Sequence, residues 1–178
     1  IDNDDYFMKR LMAVDENNVE YQDNGQRAIF FARGVLETVK KLRWYPDIIH
    51  CQGWMTSIIP ILIKKSYNDE PAFTHTKVIT SLFSNEMKGS LGNNFKKSLE
   101  YKNIKTTTLK DFNDDFNYTE LEKLAVAYSD GVIEGSQKIN KELLDFTTSK
   151  NLPLLKYPGE DFLNAYKDFY EKVYPTKE

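Results

Sequence analysis

The residues best suited to recognition chemistry stand together at the end of one apolar run: His50, Gln52 and Trp54, set around Cys51 and Gly53. Imidazole and carboxamide offer donors and acceptors for hydroxyl groups, and an indole offers a flat apolar face. Such a set suits a polyhydroxy ligand whose hydroxyls are bonded and whose ring face is stacked. Gly53 falls where a strand-to-helix turn would present backbone amides and a helix N-terminus. His50 reads equally as a core histidine with a satisfied hydrogen bond; its neighbours favour the site reading. His75 lies in a polar stretch and reads as solvated. Asp23-Asn24, just before a long helical pattern, fits a helix cap or a pair of ligand-binding groups.

Other chemistries find no support. One cysteine and two distant histidines cannot build a structural zinc site, and no metal site is expected. No Walker loop or Gly-x-Gly-x-x-Gly loop is present. No Ser-His-Asp or Cys-His arrangement can be assembled, and Cys51 inside an apolar strand reads as packing rather than as a nucleophile.

Regular elements must hold the His50–Trp54 turn in place. From Gln26 to Trp44, Ile29, Phe31, Val35, Leu36, Val39 and Leu42 recur on one helical face, while Arg27, Arg33, Glu37, Lys40 and Lys41 fall mostly elsewhere. Pro46 ends this helix. Asp47–Cys51 is short, β-branched and apolar without alternation, the pattern of a strand buried on both faces. A second helix is expected over Trp54–Lys65, kinked at Pro60 or starting near it. Lys77–Phe83 is the next strand. From Ser84 to Asn117 periodicity is lost and polar residues dominate, which predicts a long surface excursion. Thr119 with Glu122 three residues on reads as a capping box, opening a helix to Ser129 that buries Leu121, Leu124, Ala125 and Tyr128. Gly131–Gly135 is a strand, Lys138–Thr147 a helix and Leu152–Leu155 a short strand. A tail helix, Glu160–Val173, carries a packing stripe of Phe162, Tyr166, Phe169, Tyr170 and Val173.

Alternating strands and helices predict an α/β fold with a parallel sheet flanked by helices. Ligands in such folds bind beyond the carboxyl ends of the strands. His50-Gln52, Ser84-Asn85 and Gly135-Ser136 stand at three such ends.

The 178 residues suffice for one domain, and 40% hydrophobic content supports a real core. The net charge of −3, with lysines scattered among acids, argues against nucleic acid or an anionic membrane as partner. No apolar stretch approaches the roughly 20 residues of a membrane span. A lone thiol in an apolar run fits a reducing, cytoplasmic compartment. The opening Ile1-Asp2-Asn3-Asp4-Asp5 is not a natural start, which suggests that an upstream part is missing.

The order Ile1-Asp2-Asn3-Asp4-Asp5-Tyr6-Phe7, then Asp23-Asn24 and Arg27, then Pro46-Asp47-Ile48-Ile49-His50-Cys51-Gln52-Gly53-Trp54-Met55-Thr56, resembles the bacterial glycogen/starch synthases of the ADP-glucose type. More narrowly, Arg27–Trp44 resembles the short, single-domain members of Bacteroides-like bacteria. The resemblance extends to Tyr128–Ile133 and to Asn164–Tyr170 and is weak between Ser84 and Asn117.

The resemblance implies one half of a two-Rossmann (GT-B) fold and retaining transfer of glucose from ADP-glucose to the end of an α-1,4-glucan. The chain then corresponds to the later part of the N-terminal, acceptor-side domain, with 1–178 as a single domain. The family's Lys-x-Gly-Gly-Leu loop is not in it, nor is the second domain that holds most of the nucleotide. No cofactor is implied beyond the substrate ADP-glucose.

The family writes His-x-His-Asp-Trp where this chain has His50-Cys51-Gln52-Gly53-Trp54. Gln52 thus replaces the histidine expected beside the donor sugar; glutamine can bond a hydroxyl but cannot titrate near neutral pH. A His-Asn pair after the next strand is replaced by Ser84-Asn85. By position, the resemblance implies catalytic-side roles for Gln52 and Asp23 and substrate contacts for Asn24, His50, Gly53 and Trp54. Three functions stay open. One is a glucosyltransferase that works with a protein partner supplying the second domain. Another is a non-catalytic glucan-binding or regulatory module; the last is a scaffold that assembles through the aromatic tail.

Overall fold

The computed structural model describes residues 3–8, 10–84, 87–92 and 94–175; Ile1, Asp2 and Asn85 of the motifs above lie outside these. Four strands, β1 (Ile48–Gln52), β2 (Lys77–Leu82), β3 (Gly131–Glu134) and β4 (Leu154–Leu155), form one sheet in sequential order. Every pair is parallel, with His50 beside Ile79, Gln52 beside Ser81 and Ser81 beside Ile133. This is the expected sheet; β4 is shorter than the Leu152–Leu155 pattern suggested.

Helices α1 (Asp4–Phe7) and α2 (Asn24–Lys41) precede β1. A 3-10 turn at Trp54–Thr56 leads to α3 (Ile59–Ile61), with Pro60 in its first turn, and then to a π-helical turn over Leu62–Ser66. The segment expected over Trp54–Lys65 thus starts its α-helix near Pro60, the second of the two expected outcomes, because Pro60 has no amide hydrogen and is tolerated at a helix start. α4 (Phe95–Ser98), α5 (Tyr118–Ala127), α6 (Lys141–Ser149) and α7 (Phe162–Val173) complete the set.

The strand period of two sorts side chains onto two faces. On one face Ile49, Cys51 and Val78 meet α2, α3 and α5, through Ala28, Ala32 and Leu36 of α2, Ile59 and Ile61 of α3 and Leu121 and Leu124 of α5. Farther along the same face, Leu82 and Val132 pack with Val126 of α5 and Leu143 of α6. On the opposite face Ile48, Ile79, Ile133 and Leu155 receive Phe169, Val173, Tyr166 and Tyr170 of α7. Gly131 makes that seat possible, since a Cβ there would lie 2.9 Å from Val173 Cγ2 and 3.1 Å from Phe169 Cζ.

Several expectations are corrected. The Ser84–Asn117 stretch is not a surface excursion: Leu91, Phe95, Leu99, Ile104, Leu109 and Phe116 are buried in the main core. It makes short turns rather than long elements, so its apolar residues show no period. Arg27 is not solvent-facing but 1% exposed. Its guanidinium donates to the carbonyls of Tyr6 (3.0 Å), Met12 (2.9 Å) and Leu11 (3.1 Å) and to Asn24 Oδ1 (2.7 Å). A buried cation is tolerated only with its donors paired, and here it gathers the segment ahead of α2. The expected capping box at Thr119 does not form. Asn117 is the N-cap and accepts from the Glu120 amide, and Glu122 points inward.

Two outcomes follow for stability. Arg27→Leu strands three carbonyls and an amide oxygen in the interior, and is expected to cost about 3 kcal/mol or more, read as a lowered urea midpoint. Gly131→Val drives methyl groups into Phe169 and Val173; a loss of about 1–3 kcal/mol should appear together with increased exchange of the α7 amides.

Candidate functional site

β1 ends in the turn that the sequence singled out. Its β-branched start, Ile48-Ile49, favours the pleated backbone, and alternation places His50 and Gln52 on the α7 face and Cys51 on the other. His50 is tied on both sides of its ring: Nδ1 lies 2.7 Å from Tyr170 Oη and Nε2 lies 2.7 Å from Ser81 Oγ. The rings of Tyr166 and Tyr170 stand edge-on to it, with centroids at 5.6 and 5.7 Å. Burial lowers its pKa to about 4, so the ring is neutral at pH 7. Gln52 is exposed, and its amide reaches His50 Nδ1 at 3.3 Å. That nitrogen has one lone pair or one hydrogen and already serves Tyr170, so the contact with Gln52 is the weaker of the two. The carboxamide is left able to meet a ligand.

Gly53 has φ 79° and ψ 158°, a region that only glycine occupies readily. Nothing lies within 4 Å of where its Cβ would be. An aspartate at this position, as the resemblance implies for relatives, would strain this backbone. The Gly53 carbonyl then accepts from the Thr56 amide (3.0 Å) and Thr56 Oγ1 (2.9 Å), closing the turn.

Trp54 does not offer a stacking face. Its side chain is 8% exposed and belongs to the main core, and its indole Nε1 is buried without an acceptor among the described residues. The indole was read from sequence as a sugar platform, but the 3-10 turn directs it inward. Cys51 is 2% exposed and burial pushes its thiol well up, in keeping with a packing role.

Asp23 does not cap α2 through its side chain. Its carboxylate is held by Arg10 in a two-pronged pair, with contacts of 2.6 and 2.7 Å. The same pair keeps its pKa below the usual carboxylate value. Asn24 is 3% exposed; it donates to the Ala13 carbonyl at 2.8 Å and accepts from Arg27. Arg10 and Arg27 line a cavity of about 320 Å³ with Phe7, Leu11, Met12, Phe31 and Met55. That cavity joins the start of α2 to the strand-end turn through Met55. Asp23, His50 and Gln52 lie outside its lining.

At the neighbouring strand ends, the Ser84 amide donates to Ser136 Oγ at 3.1 Å, which joins the ends of β2 and β3. Arg10, Ser81 and Tyr170 escaped the sequence reading as site residues. Arg10 stands 13 positions from Asp23, Ser81 sits in an apolar strand, and Tyr170 belongs to a helical stripe that its spacing assigns to packing. The arrangement can hydrogen-bond a polar ligand through Gln52 and the turn backbone. Among the described residues it sets no free carboxylate or charged imidazole at the end of β1.

Comparison with known proteins gives the context. Residues 1–155 match the model of the starch synthase catalytic domain. Glycogen synthase of Clostridium perfringens is 33% identical over 161 residues, covering 88% of this chain and 33% of that protein. The Photobacterium profundum enzyme is 33% identical over 155 residues, covering 87% and 29%, and the Vibrio parahaemolyticus enzyme is 43% identical over 89 residues, covering 50% and 18%. This chain therefore spans a third or less of the length of those relatives. Among solved structures, the catalytic domain of starch synthase IV from Arabidopsis thaliana, bound to ADP and acarbose, superposes with a TM-score of 0.58 at 20% identity, over 77% of this chain and 30% of that one. The parallel sheet with its flanking helices, together with the sequence match over residues 1–155, places this chain in the starch synthase catalytic domain family.

Proposed function

We propose that this chain is part of the acceptor-side half of a glycogen-synthase-type glucosyltransferase, contacting an α-glucan and ADP-glucose at the carboxyl end of β1. The family match over residues 1–155 carries this reading, and the exposed Gln52 amide at that strand end supports it. Gln52 is the substrate-facing group, held beside a neutral His50; Gly53 leaves room for a sugar against the turn. Asp23, neutralised by Arg10, orders the start of α2 rather than acting as a base.

Glucosyl transfer also requires stabilisation of the departing nucleotide phosphate, which is worth several kcal/mol of barrier. We assign that task to a second Rossmann domain, supplied outside these 178 residues. A further strand on the open side of β1 belongs to the same proposal. Among the described residues no strand pairs with that edge. α2 leads into β1 on the sheet face that also holds α3. Because parallel crossovers are right-handed, a strand feeding α2 would lie on the side of β1 away from β2. A cytoplasmic placement, read from the lone cysteine, is part of the same proposal. Among the described residues no helix is long and apolar enough to cross a membrane.

Titration calorimetry with maltoheptaose tests the site. Gln52→Ala is expected to weaken binding about fivefold, as loss of one hydrogen bond of about 1 kcal/mol requires, with the urea midpoint unchanged. Equal binding by the variant and the parent would overturn the assignment of Gln52. Glucose incorporation from ADP-glucose by the polypeptide together with its second domain separates the enzyme from a glucan-binding module: incorporation supports the enzyme, and binding without incorporation favours the module.

A further inference from the structure

Behind the turn, on the face away from α7, lies an ionisable group that the site does not use directly. Glu122 of α5 is 2% exposed and accepts a hydrogen bond from Ser57 Oγ at 2.6 Å. Among the described residues it has no lysine or arginine partner. Ser57 directly follows the Trp54–Thr56 turn, and its Oγ also stands 3.5 Å from the Gly53 carbonyl. One hydroxyl hydrogen therefore faces two acceptors.

The state of the carboxyl decides which acceptor receives it. An ionised Glu122 has only lone pairs and takes the Ser57 hydrogen. A protonated Glu122 donates its own hydrogen to Ser57 Oγ, and the Ser57 hydrogen then turns to the Gly53 carbonyl. The carboxyl takes up one proton from solvent, and one existing hydrogen, that of the Ser57 hydroxyl, changes direction. The turn otherwise depends on Thr56 alone at that carbonyl, and the Trp54 indole N–H finds no acceptor, so a third bond to Gly53 matters.

We propose that Glu122 is a positioning residue for the strand-end turn: through Ser57 it sets how firmly the Gly53 carbonyl, and with it Gln52 and Trp54, is held, and the setting changes with the proton on its carboxyl. The proposal deepens the reading of the turn as the sugar-facing site. The group titrates in a useful range, because burial without a cation raises its pKa to about 7, against which the Ser57 bond works only partly. The titratable group facing it is the Cys51 thiol of β1, which burial keeps protonated.

The sign is fixed by the direction of the shift. In the unfolded chain the carboxyl ionises near its ordinary 4.5, so its stabilising contribution is complete below that pH. The contribution is lost as pH rises through about 7 and changes little beyond. Glu122→Gln keeps an acceptor for Ser57 and removes the titration. Its melting temperature relative to the parent is expected to climb between pH 5 and 7 and then level off. A Trp44→Phe background leaves Trp54 as the sole tryptophan. In that background the emission of Trp54 is expected to show a one-proton transition near pH 7, absent in Glu122→Gln and reduced in Ser57→Ala. A transition that survives Glu122→Gln unchanged, or melting curves of the two proteins that run parallel from pH 5 to 8, would overturn the proposal. Neither readout uses a glucan, so failure here leaves the sugar-binding reading standing, and failure to bind glucan leaves this one standing.

Discussion

A histidine can sit inside a parallel sheet only if both ring nitrogens find partners, and the geometry of this strand end follows from that requirement. Ser81 supplies one partner from the adjacent strand and Tyr170 the other from α7. The first contact depends on the register of β1 against β2, because His50 and Ser81 share a face but stand two residues apart in pairing. The second depends on how closely α7 lies on β3, which the missing side chain of Gly131 allows. The helix, the register and the ring form one linked unit. Its consequence is chemical: a ring so enclosed stays neutral, and Gln52, two residues on, is the exposed polar side chain of the strand end.

Much of this architecture was legible in the sequence, for a physical reason. Strands β1, β2 and β3 are short β-branched runs, and α2 carries a helical apolar period; both patterns reflect burial directly. Irregular structure hides its burial. Leu91, Phe95, Leu99, Ile104, Leu109 and Phe116 enter the core from short turns, where no single period applies. Arg27 is misread by any rule that sends charge to solvent, since its four acceptors lie mostly in residues 6–12, far from it along the chain. Cap positions failed more narrowly: Asn117 and Thr119 both have suitable oxygens, and the chain uses the earlier one.

The site shows the same division. The sequence pointed to the turn because chemistry-bearing types cluster there. Which of them faces outward was not legible, since a strand end followed by a 3-10 turn can rotate its side chains either way. Trp54, whose large apolar face yields more free energy when buried than when exposed, went inward. Gln52, which loses little by remaining in water, went outward. Asp23 carried a signal of its type but not of its partner: its carboxylate is half of an ion pair with Arg10.

The turn combines three features that bear on one another. Gly53, where the resemblance implies an aspartate, adopts a backbone region that only glycine occupies readily, and its carbonyl faces Thr56 and Ser57. Gln52, where the resemblance implies a histidine, leaves no titrating group at the front of the turn. Glu122, a carboxyl with no cation, adds one behind it. A group in front would exchange protons with solvent and ligand alike, whereas a buried one acts only through the hydroxyl it touches. On the two proposals together, proton dependence at this strand end reaches the sugar-facing surface through the stiffness of a backbone carbonyl rather than through direct proton transfer.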